Sequence, residues 1–312
     1  MHSFSGARIR GVGTALPDRI VTNDDLAKTV DTANDWIIDR TGIHQRHVGG
    51  TTAGLAADAG RQAIERSGID PAGIDMLILA TTTPDRRVPA TASTVQEMLG
   101  IECGAMDVNA ACSGFMYGLI AAHGYIGLGH ERVLVIGAET LSRITDWTDR
   151  GTCILFADGA GAAVVERTPG TGELLGWHVS SDGKLEDALY CDFDGKLIMN
   201  GKAVFRQAVL VMEASARHSL AMAGLGTDDV DVVIPHQANV RIVEASCKRL
   251  GIPYEKTAMV IHRTGNTSSA SIPLALDDAL QQGRINDGDK VLLVGFGAGM
   301  SSASMVLDWG AA

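Results

Sequence analysis

Three residues of the sequence have side chains suited to thiol-based acyl transfer: Cys112, His236 and Asn266. Cys112 lies between an apolar, strand-like run and a helix of small residues in AMDVNAACSGFMYGLIAAHGYI, so we expect its thiol at the N-terminal end of that helix. Backbone N–H groups and the positive end of the helix dipole favour thiolate over thiol at such a position. A Cys with a distant His and a distant Asn is typical of a nucleophile whose partners are assembled by the fold.

Each of these residues also has an ordinary structural interpretation. A lone Cys is often a small buried hydrophobe. His236 follows the apolar run DVVIP, as a residue at the carboxyl end of a strand does, and active-site groups of α/β sheets are found there; a helix-capping histidine would show the same pattern. Asn266, within Thr264-Gly265-Asn266-Thr267, is equally typical of a turn or an N-cap.

Composition limits the class of protein. A chain of 312 residues corresponds to two units at about 150 residues each. A hydrophobic fraction of 46% with 20% charged residues is typical of an α/β enzyme. The net charge of −11 argues against nucleic acid as a partner, because phosphate binding relies on clustered Lys and Arg. Five cysteines without a CxxC motif predict neither a disulfide framework nor a metal site, and they suit a reducing cytosol.

The N-terminal sequence MHSFSGARIRGVG lacks the features of a secretory signal peptide, and the longest apolar runs have the length of strands. Runs such as MLILA and VLVIGA are far too short to cross a bilayer. We therefore expect a cytoplasmic protein without a membrane segment.

The sequence contains an internal duplication. The segment that starts at Gly68 matches the one that starts at Gly224, an offset of 224 − 68 = 156, and Val133 matches Val291, an offset of 291 − 133 = 158. Two matches in order at nearly one offset predict two similar α/β halves, residues 1–170 and 171–312. The helix predicted from Ser113 to about Ile126 has no polar face, so we expect it to be buried centrally. Since the Cys lies in one half and the His and Asn in the other, the site is expected at their junction.

Six motifs occur in order between about residue 8 and about residue 307: NDWIIDRTGIHQRH, DVNAACSGF, WTDRGTCILFADGAGA, PHQANVRI, HRTGNTSSASIPLAL and GFGAG. Together they resemble the thiolase-fold condensing enzymes, and within them the β-ketoacyl-acyl-carrier-protein synthase III family. The resemblance implies a five-layered αβαβα fold built from two similar halves, and a homodimer. The glycine-rich stretches at Gly159 and Gly295 do not match a dinucleotide-binding loop, and we interpret them as sites of close backbone packing.

The resemblance also implies an activity. Cys112 would take an acyl group from acyl-CoA, and the backbone N–H groups of Cys112 and Ala298 would form the oxyanion hole. Malonyl-acyl carrier protein would then lose CO₂, with His236 and Asn266 stabilising the enolate oxygen, and the carbanion would attack the acyl-Cys. The product would be a 3-oxoacyl-acyl carrier protein, which initiates fatty acid synthesis, and the reaction needs no metal or other cofactor.

The same resemblance implies which residues bind the substrates. Those that would contact CoA and its pantetheine arm are Thr32, Trp36, Arg40, Arg150, Gly151, Asn200, Gly201, Ala238 and Asn239. Those that would dock the acidic carrier protein are Arg206, Arg241, Lys248 and Arg249, although each is equally typical of a solvated helix charge. Those that would line the acyl pocket are Val88, Phe156 and Phe205, with Val88 reaching the pocket across the dimer.

Two departures from the family pattern leave the acyl chain open. The segment 181–201 is shorter than in typical members, and Gly297-Ala298-Gly299 stands where Gly-Gly-Gly is frequent. Other functions also remain: an acyltransferase to a hydroxyl or amine in a secondary-metabolite pathway, and a non-catalytic acyl-binding partner subunit. A papain-like hydrolase would leave the duplication unexplained.

Overall fold

The apolar runs of the sequence form the central strands of two sheets in the computed structural model, which describes residues 6–311. In chain order, the helices and strands of the first half are β1 (Gly6–Ala15), β2 (Ile20–Thr22), α1 (Asn23–Leu26), α2 (Asn34–Thr41), β3 (Gln45–His47), α3 (Thr52–Ser67), β4 (Met76–Ala80), α4 (Thr91–Leu99), β5 (Gly104–Val108), α5 (Gly114–Gly127), β6 (Arg132–Thr140), α6 (Arg150–Cys153) and β7 (Asp158–Thr168). Those of the second half are β8 (Leu174–Ser180), β9 (Leu189–Tyr190), β10 (Ile198–Met199), α7 (Gly201–Ala223), β11 (Val232–Pro235), α8 (Val240–Leu250), α9 (Ile261–Thr264), α10 (Ser271–Gln281), β12 (Lys290–Gly297) and β13 (Ser301–Asp308).

The two sheets share one topology. The first has the strand order β1-β7-β6-β4-β5, and the second has the order β11-β12-β13-β8. In the first sheet, β6 is parallel to β4 and antiparallel to β7. In the second sheet, β12 is parallel to β11 and antiparallel to β13. Two short hairpins, β2–β3 and β9–β10, lie outside these sheets.

Strand register confirms the internal duplication. Met76 pairs with Val133 in the first sheet, and Val232 pairs with Val291 in the second. The offsets are 232 − 76 = 156 and 291 − 133 = 158, which are the two offsets found in the sequence. A counterpart of β5 is reduced to a single parallel bridge between Val233 and Thr257.

Side-chain packing defines five layers. Helices α3 and α4 cover the outer face of the first sheet, and helices α7 and α8 cover the outer face of the second. Between the sheets, α5 and α10 share one hydrophobic core with both, in which Phe115 and Ile272 lie with Ile78 and Leu293. The prediction of a buried helix from Ser113 to about Ile126 is confirmed by α5, since a helix with apolar residues around most of its circumference needs contacts on several sides.

Candidate active site

Cys112 lies in a 3₁₀ turn, Ala111–Ser113, that leads directly into α5. Ser301, at the start of β13 in the second half, holds this turn from both sides. Its hydroxyl donates to the Ala110 carbonyl at 3.0 Å, and its carbonyl accepts from the Ser113 hydroxyl at 3.2 Å. The position of the thiol therefore depends on both halves of the chain.

Two glycines of β12 bring Cys112 and His236 together. A Cβ atom at Gly297 would lie 2.6 Å from the Cys112 backbone nitrogen, and a Cβ atom at Gly295 would lie 3.0 Å from the His236 Cβ. Residues two apart in a strand face the same side of the sheet. One face of the carboxyl end of β12 therefore lies against both residues, and the close backbone packing predicted for GFGAG is confirmed at Gly297.

His236 follows β11 and continues its pairing, since its backbone N–H donates to the Val294 carbonyl at 2.8 Å. Its Nδ1 lies 2.7 Å from the Ser271 hydroxyl oxygen, which also accepts from the Gln237 N–H at 3.3 Å. The Ser271 hydroxyl has no other acceptor within hydrogen-bond distance among residues 6–311, so we assign its proton to the bond with Nδ1 and the ring hydrogen of a neutral imidazole to Nε2. Burial lowers the pKa of His236 to about 3, which keeps the ring neutral and makes Nε2 a donor that does not titrate near neutral pH.

Asn266 is fixed by the first half of the chain. Its backbone N–H donates to the Leu155 carbonyl and its carbonyl accepts from the Ala157 N–H, both at 2.9 Å. Its side-chain Oδ1 accepts from the Ser268 N–H at 2.9 Å. Because this bond occupies the oxygen, the side-chain Nδ2 is left as the donor of the amide.

Gln237 ties the His236 strand to the segment that leads to Asn266. Its Nε2 donates to the Ala258 carbonyl at 2.8 Å, and its Oε1 accepts from the N–H groups of Val260 and Ile261 at 2.9 and 3.0 Å. The side chain is buried and both ends are satisfied. His236 and Asn266 are therefore held in a fixed relation.

The surroundings of Cys112 act on its pKa in opposite directions. Burial raises the pKa of its thiol to about 12, which outweighs the lowering by the Ser268 hydroxyl and by its own backbone N–H. Burial therefore opposes the thiolate that the helix end is expected to favour.

Backbone strain is concentrated at the site. The non-glycine residues with positive φ in the described part of the chain are Ala111, Ser268 and Met300, with φ of 48°, 49° and 41°. They belong to the Cys112 turn, the turn after Asn266 and the turn that contains Ala298. Strain of this kind persists where the surrounding structure enforces it, as at catalytic sites.

A cavity of about 1300 Å³ opens onto Cys112. Ala298, Ser268 and Phe156 line it close to the thiol. The segment 181–201 forms a further part of its wall, through Ser181, Gly183, Glu186, Leu189, Tyr190, Cys191, Asp192, Phe193 and Leu197. The segment 181–201 thus borders the space next to Cys112.

Comparisons with known proteins identify the family. The models described as 3-Oxoacyl-[acyl-carrier-protein (ACP)] synthase III and 3-Oxoacyl-[acyl-carrier-protein (ACP)] synthase III C terminal match residues 106–183 and 220–309. A relative from Allorhizobium ampelinum, named Beta-ketoacyl-[acyl-carrier-protein] synthase III, is 47% identical over 318 residues, covering 96% of this chain and 98% of the relative. The chain belongs to the 3-oxoacyl-[acyl-carrier-protein] synthase III family.

Solved structures agree with this assignment. The 3-oxoacyl-[acyl-carrier-protein] synthase III of Aquifex aeolicus VF5 has a TM-score of 0.94 and 42% identity, with 97% of this chain and 100% of that chain covered. The priming beta-ketosynthase from the R1128 polyketide biosynthetic pathway has a TM-score of 0.93 and 35% identity, with 99% and 98% covered. The prediction of a thiolase-like αβαβα fold is confirmed.

In this synthase III, the residues predicted to hold the CoA nucleotide are brought together. The Arg150 guanidinium lies 4.8 Å from the Trp36 ring centroid, and that of Arg40 lies 5.7 Å from it. Trp36 and Arg40 are four residues apart on α2, whereas Arg150 begins α6. Together they present one aromatic ring with two guanidinium groups near it. Such a surface is suited to bind a nucleotide base and its phosphates.

The residues predicted for the pantetheine arm lie at helix starts. Asn200 caps α7 and Asn239 caps α8, and Asn239 also donates from Nδ2 to the Arg40 carbonyl at 2.9 Å. Thr32 has a buried hydroxyl without a hydrogen-bond partner among residues 6–311. The others in this set are Gly151 in α6, Gly201 at the first position of α7, and Ala238 just before α8.

The residues predicted to dock the carrier protein are all exposed, but their environments differ. Arg241 lies in the first turn of α8, and its guanidinium is 6.0 Å from the centroid of the Phe205 ring on α7. Arg206 follows Phe205 in the sequence. Lys248 and Arg249 lie at the C-terminal end of α8, where Arg249 forms an ion pair with Glu213.

The three side chains predicted for the acyl pocket are dispersed. Phe156 lines the cavity, whereas Phe205 and Val88 do not belong to its lining among residues 6–311. Phe205 instead lies on α7 beneath Arg241, because its position on the helix turns it toward α8. Val88 is 83% exposed and does not reach the cavity of its own chain.

Sequence analysis missed several residues that hold the site: Glu139, Gln237, Ser268, Ser271 and Ser301. Gln237 and the two serines Ser268 and Ser271 lie within the motifs PHQAN and GNTSSAS, so a signal was present in their proximity to His236 and Asn266. Glu139 follows VLVIGA, and a carboxylate at the end of a buried strand is unusual enough to have indicated a role.

Proposed function

We propose that this synthase III condenses an acyl-CoA primer, acetyl-CoA or another short acyl-CoA, with malonyl-acyl carrier protein to give a 3-oxoacyl-acyl carrier protein. The observation that supports this most is that one face of β12 lies against both Cys112 and His236, while Asn266 is hydrogen-bonded to Ser268, which lines the same cavity as Cys112. The Allorhizobium ampelinum relative is named Beta-ketoacyl-[acyl-carrier-protein] synthase III, and the Aquifex aeolicus structure is that of a 3-oxoacyl-[acyl-carrier-protein] synthase III.

In the first half-reaction, the Cys112 sulfur attacks the thioester carbonyl of acyl-CoA. The Cys112 and Ala298 N–H groups stabilise the developing oxyanion, since Ala298 lies in the turn that follows Gly297 and lines the same cavity. The C–S bond to CoA then breaks. An acyl-enzyme and free CoA result.

In the second half-reaction, the malonyl thioester oxygen accepts from His236 Nε2 and Asn266 Nδ2. Decarboxylation places negative charge on this oxygen, and neutral donors stabilise the charge without themselves giving up a proton. The carbanion attacks the acyl carbon, and the Cys112 sulfur leaves. These steps use only groups of the chain and of the two thioesters, so we propose no metal or redox cofactor.

We propose that the two substrates share one entrance. Trp36, Arg40 and Arg150 would bind the CoA nucleotide, and the unpartnered hydroxyl of Thr32 would serve the pantetheine amides. The exposed cations Arg206 and Arg241, with Lys202 beside them at the start of α7, would bind the acidic carrier protein. Lys248 and Arg249 would extend this surface along α8.

We further propose a homodimer formed through β5. This strand is the edge of the first sheet, with β4 as its neighbour on one side, and an unpaired edge is a template for pairing with another chain. Val88 and Phe193, which are 83% and 88% exposed, are large apolar side chains that such an interface would cover.

We place the enzyme in the cytoplasm, because its five free cysteines suit a reducing compartment. Among residues 6–311, no helix has the length and apolar character to cross a bilayer.

The proposal is tested by intact-mass spectrometry of the purified protein. Incubation with acetyl-CoA, and separately with longer and branched acyl-CoAs, should add one acyl group that maps to Cys112. Malonyl-acyl carrier protein should then remove the adduct as 3-oxoacyl product, and the rates rank the primers. Discharge only onto an alcohol or amine would indicate an acyltransferase instead, and the lack of any adduct would indicate a non-catalytic subunit.

The CoA contacts lead to a separate prediction. Trp36→Ala should raise the KM for acetyl-CoA about tenfold and leave kcat within about twofold, because the ring contributes stacking and cation–π energy before the chemical step. Trp36→Phe should restore most of the affinity. Discharge of the preformed acyl-enzyme by malonyl-acyl carrier protein, which has no adenine, serves as the control. An equal loss in that step would show that Trp36 supports the fold rather than the nucleotide.

A further inference from the structure

Arg46 has a fully buried side chain, although arginine is rarely buried without a charged partner. It is the middle residue of β3, where strand alternation turns Arg46 inward and leaves Gln45 and His47 half-buried. No carboxylate of residues 6–311 forms an ion pair with the guanidinium, and its Nε has no hydrogen-bond partner among them. A buried charge without an opposite charge is costly, which indicates a role beyond packing.

The guanidinium of Arg46 joins three segments through neutral acceptors. Its Nη1 donates to the Val21 carbonyl at 3.2 Å, and its Nη2 donates to Asn23 Oδ1 at 2.6 Å and to the Ile154 carbonyl at 3.2 Å. Val21 lies in β2, Asn23 begins α1, and Ile154 follows α6. One side chain thus connects segments that are more than 100 positions apart in the sequence.

One arm of this network leads to Asn266. Ile154 precedes Leu155, whose carbonyl accepts from the Asn266 N–H at 2.9 Å. From another side, a Cβ atom at Gly265 would lie 3.1 Å from the Arg46 Cβ, so the backbone just before Asn266 packs directly on the arginine side chain. Gly265 has a φ of 73°, a conformation that suits glycine. Arg46 therefore supports the Asn266 backbone through both of these neighbours.

The other arm leads to the helix predicted to hold the CoA nucleotide. Asn23 is buried, and its Nδ2 donates to Asn34 Oδ1 at 3.1 Å and to the Ile43 carbonyl at 2.8 Å. Asn34 is the first residue of α2, and Ile43 lies just after the end of that helix, which carries Trp36 and Arg40. Because the Asn23 side-chain oxygen accepts from the guanidinium, the same amide links the arginine to both ends of α2.

We propose that Arg46 is a positioning residue that aligns α2 with the Asn266 amide, an inference that rests on the function proposed above. Arg46 lies outside the lining of the cavity at Cys112, so it acts through Asn23 and Ile154. One guanidinium then fixes both the helix that receives the nucleotide and the donor that receives the enolate oxygen. The distance between these two points is what a pantetheine arm has to span.

The sulfur and the imidazole are held without Arg46. Ser301 holds the turn that carries Cys112, and Ser271 bonds the ring of His236. We therefore expect loss of Arg46 to weaken the binding of CoA and to displace the amide donor, while the attack of the sulfur on a bound thioester is spared.

The test separates the two half-reactions in Arg46→Met, which fills similar space without charge or hydrogen bonds. Rapid-quench intact mass gives the KM and the maximal rate of acylation by acetyl-CoA, and then the rate at which saturating malonyl-acyl carrier protein discharges the adduct. We expect discharge to be about 30-fold slower, since a displacement of about 1 Å at a reacting group costs about 100-fold. The KM for acetyl-CoA should rise about fivefold, with the maximal rate of acylation within about twofold of the wild type.

Three further variants divide the network. Asn23→Ala cuts the arm to α2 and should raise the KM for acetyl-CoA, with discharge within about twofold because the other arm remains. Arg46→Lys keeps the charge but not the planar fork, so its discharge should be at least about tenfold slower than that of the wild type. Arg284→Met is the matched control, since the Arg284 guanidinium also donates to backbone carbonyls, those of Thr257 and Glu255. It should leave both half-reactions within about twofold.

Equal slowing of acylation and discharge in Arg46→Met would overturn the proposal, because it would indicate support of the fold alone. Wild-type discharge in Arg46→Lys would also overturn it, since the charge would then suffice without the bonds. Where Arg46→Met does not fold, Arg46→Lys decides the arm to Asn266, and an unchanged KM in Asn23→Ala would refute the arm to α2. Failure of the proposed function is distinguishable, since the wild type would then form no adduct or would not discharge it onto malonyl-acyl carrier protein.

Discussion

Cys112→Ala should lose both the acyl adduct and the 3-oxoacyl product, with a fall in turnover of about 10⁴-fold or more. In the proposed reaction the sulfur forms a covalent bond with the primer, and no other group at the end of β12 can replace it: His236 and Asn266 are donors, and Ser268 is a hydroxyl of much lower nucleophilicity. Removal of a nucleophile that acts as part of a unit typically costs several orders of magnitude in rate. The measurement combines intact mass after acetyl-CoA with product formation from malonyl-acyl carrier protein.

Cys191→Ala is the matched control for this result. Cys191 lines the same cavity as Cys112 and is the more exposed of the two thiols. Burial raises the pKa of the Cys191 thiol as well, so its exposure is not accompanied by activation. The variant should keep the adduct and at least half of the activity. An adduct that persists in Cys112→Ala and disappears in Cys191→Ala would show that the nucleophile has been assigned to the wrong cysteine.

Gly297→Ala should reduce the rate of acylation by about 100-fold, although it adds only a single methyl group. The new Cβ would lie 2.6 Å from the Cys112 backbone nitrogen and 2.8 Å from the Ala111 Cβ, distances at which the backbone must shift. A displacement of about 1 Å at a reacting group is enough to cost about 100-fold in rate. The shift would also disturb the Ala298 N–H, which follows in the chain. The measurement is single-turnover acylation with acetyl-CoA, together with thermal unfolding to record the accompanying loss of stability.

Gly124→Ala tests whether the effect belongs to the position or to the type of substitution. Gly124 lies near the end of α5, and a Cβ there would meet no atom within 4 Å. Since Ala is a better helix former than Gly, this variant should be at least as stable as the wild type and acylate at its rate. A Gly297→Ala enzyme with the same acylation rate as Gly124→Ala would contradict the view that β12 positions the nucleophile.

The sequence allowed correct prediction of those elements whose burial leaves a pattern in it. The runs MLILA and VLVIGA became β4 and β6, because a strand covered by helices on both faces is apolar along its whole length. The duplication was visible for the same reason. The short hairpin β9–β10 was not foreseen, since two-residue strands leave no periodicity, and they depend on contacts with other segments such as the bond from Leu197 to Ile144.

The sequence likewise indicated some residues of the candidate site and gave no signal for others. Cys112, His236 and Asn266 could be proposed from the sequence because their chemistry is rare and their neighbours form motifs. Ser271 was not found, since serine is common and its role depends on one 2.7 Å contact with a ring 35 positions away. The effect of burial on the Cys112 pKa could not be predicted, because desolvation depends on all the atoms around the sulfur, whereas a helix end can be recognised from a few residues.

The core between the two sheets has a consequence for how the protein folds. Phe115 of α5 and Ile272 of α10 pack in one cluster with strands of both halves, so each half contributes a helix that the other half helps to cover. A fragment that ends near residue 170 would leave the apolar side of α5 in water. The halves are repeats in sequence, but the core that contains α5 and α10 belongs to both of them. We therefore expect the catalytic junction to form in the same cooperative transition as this shared core, so that a folding intermediate with one half intact would have no assembled site.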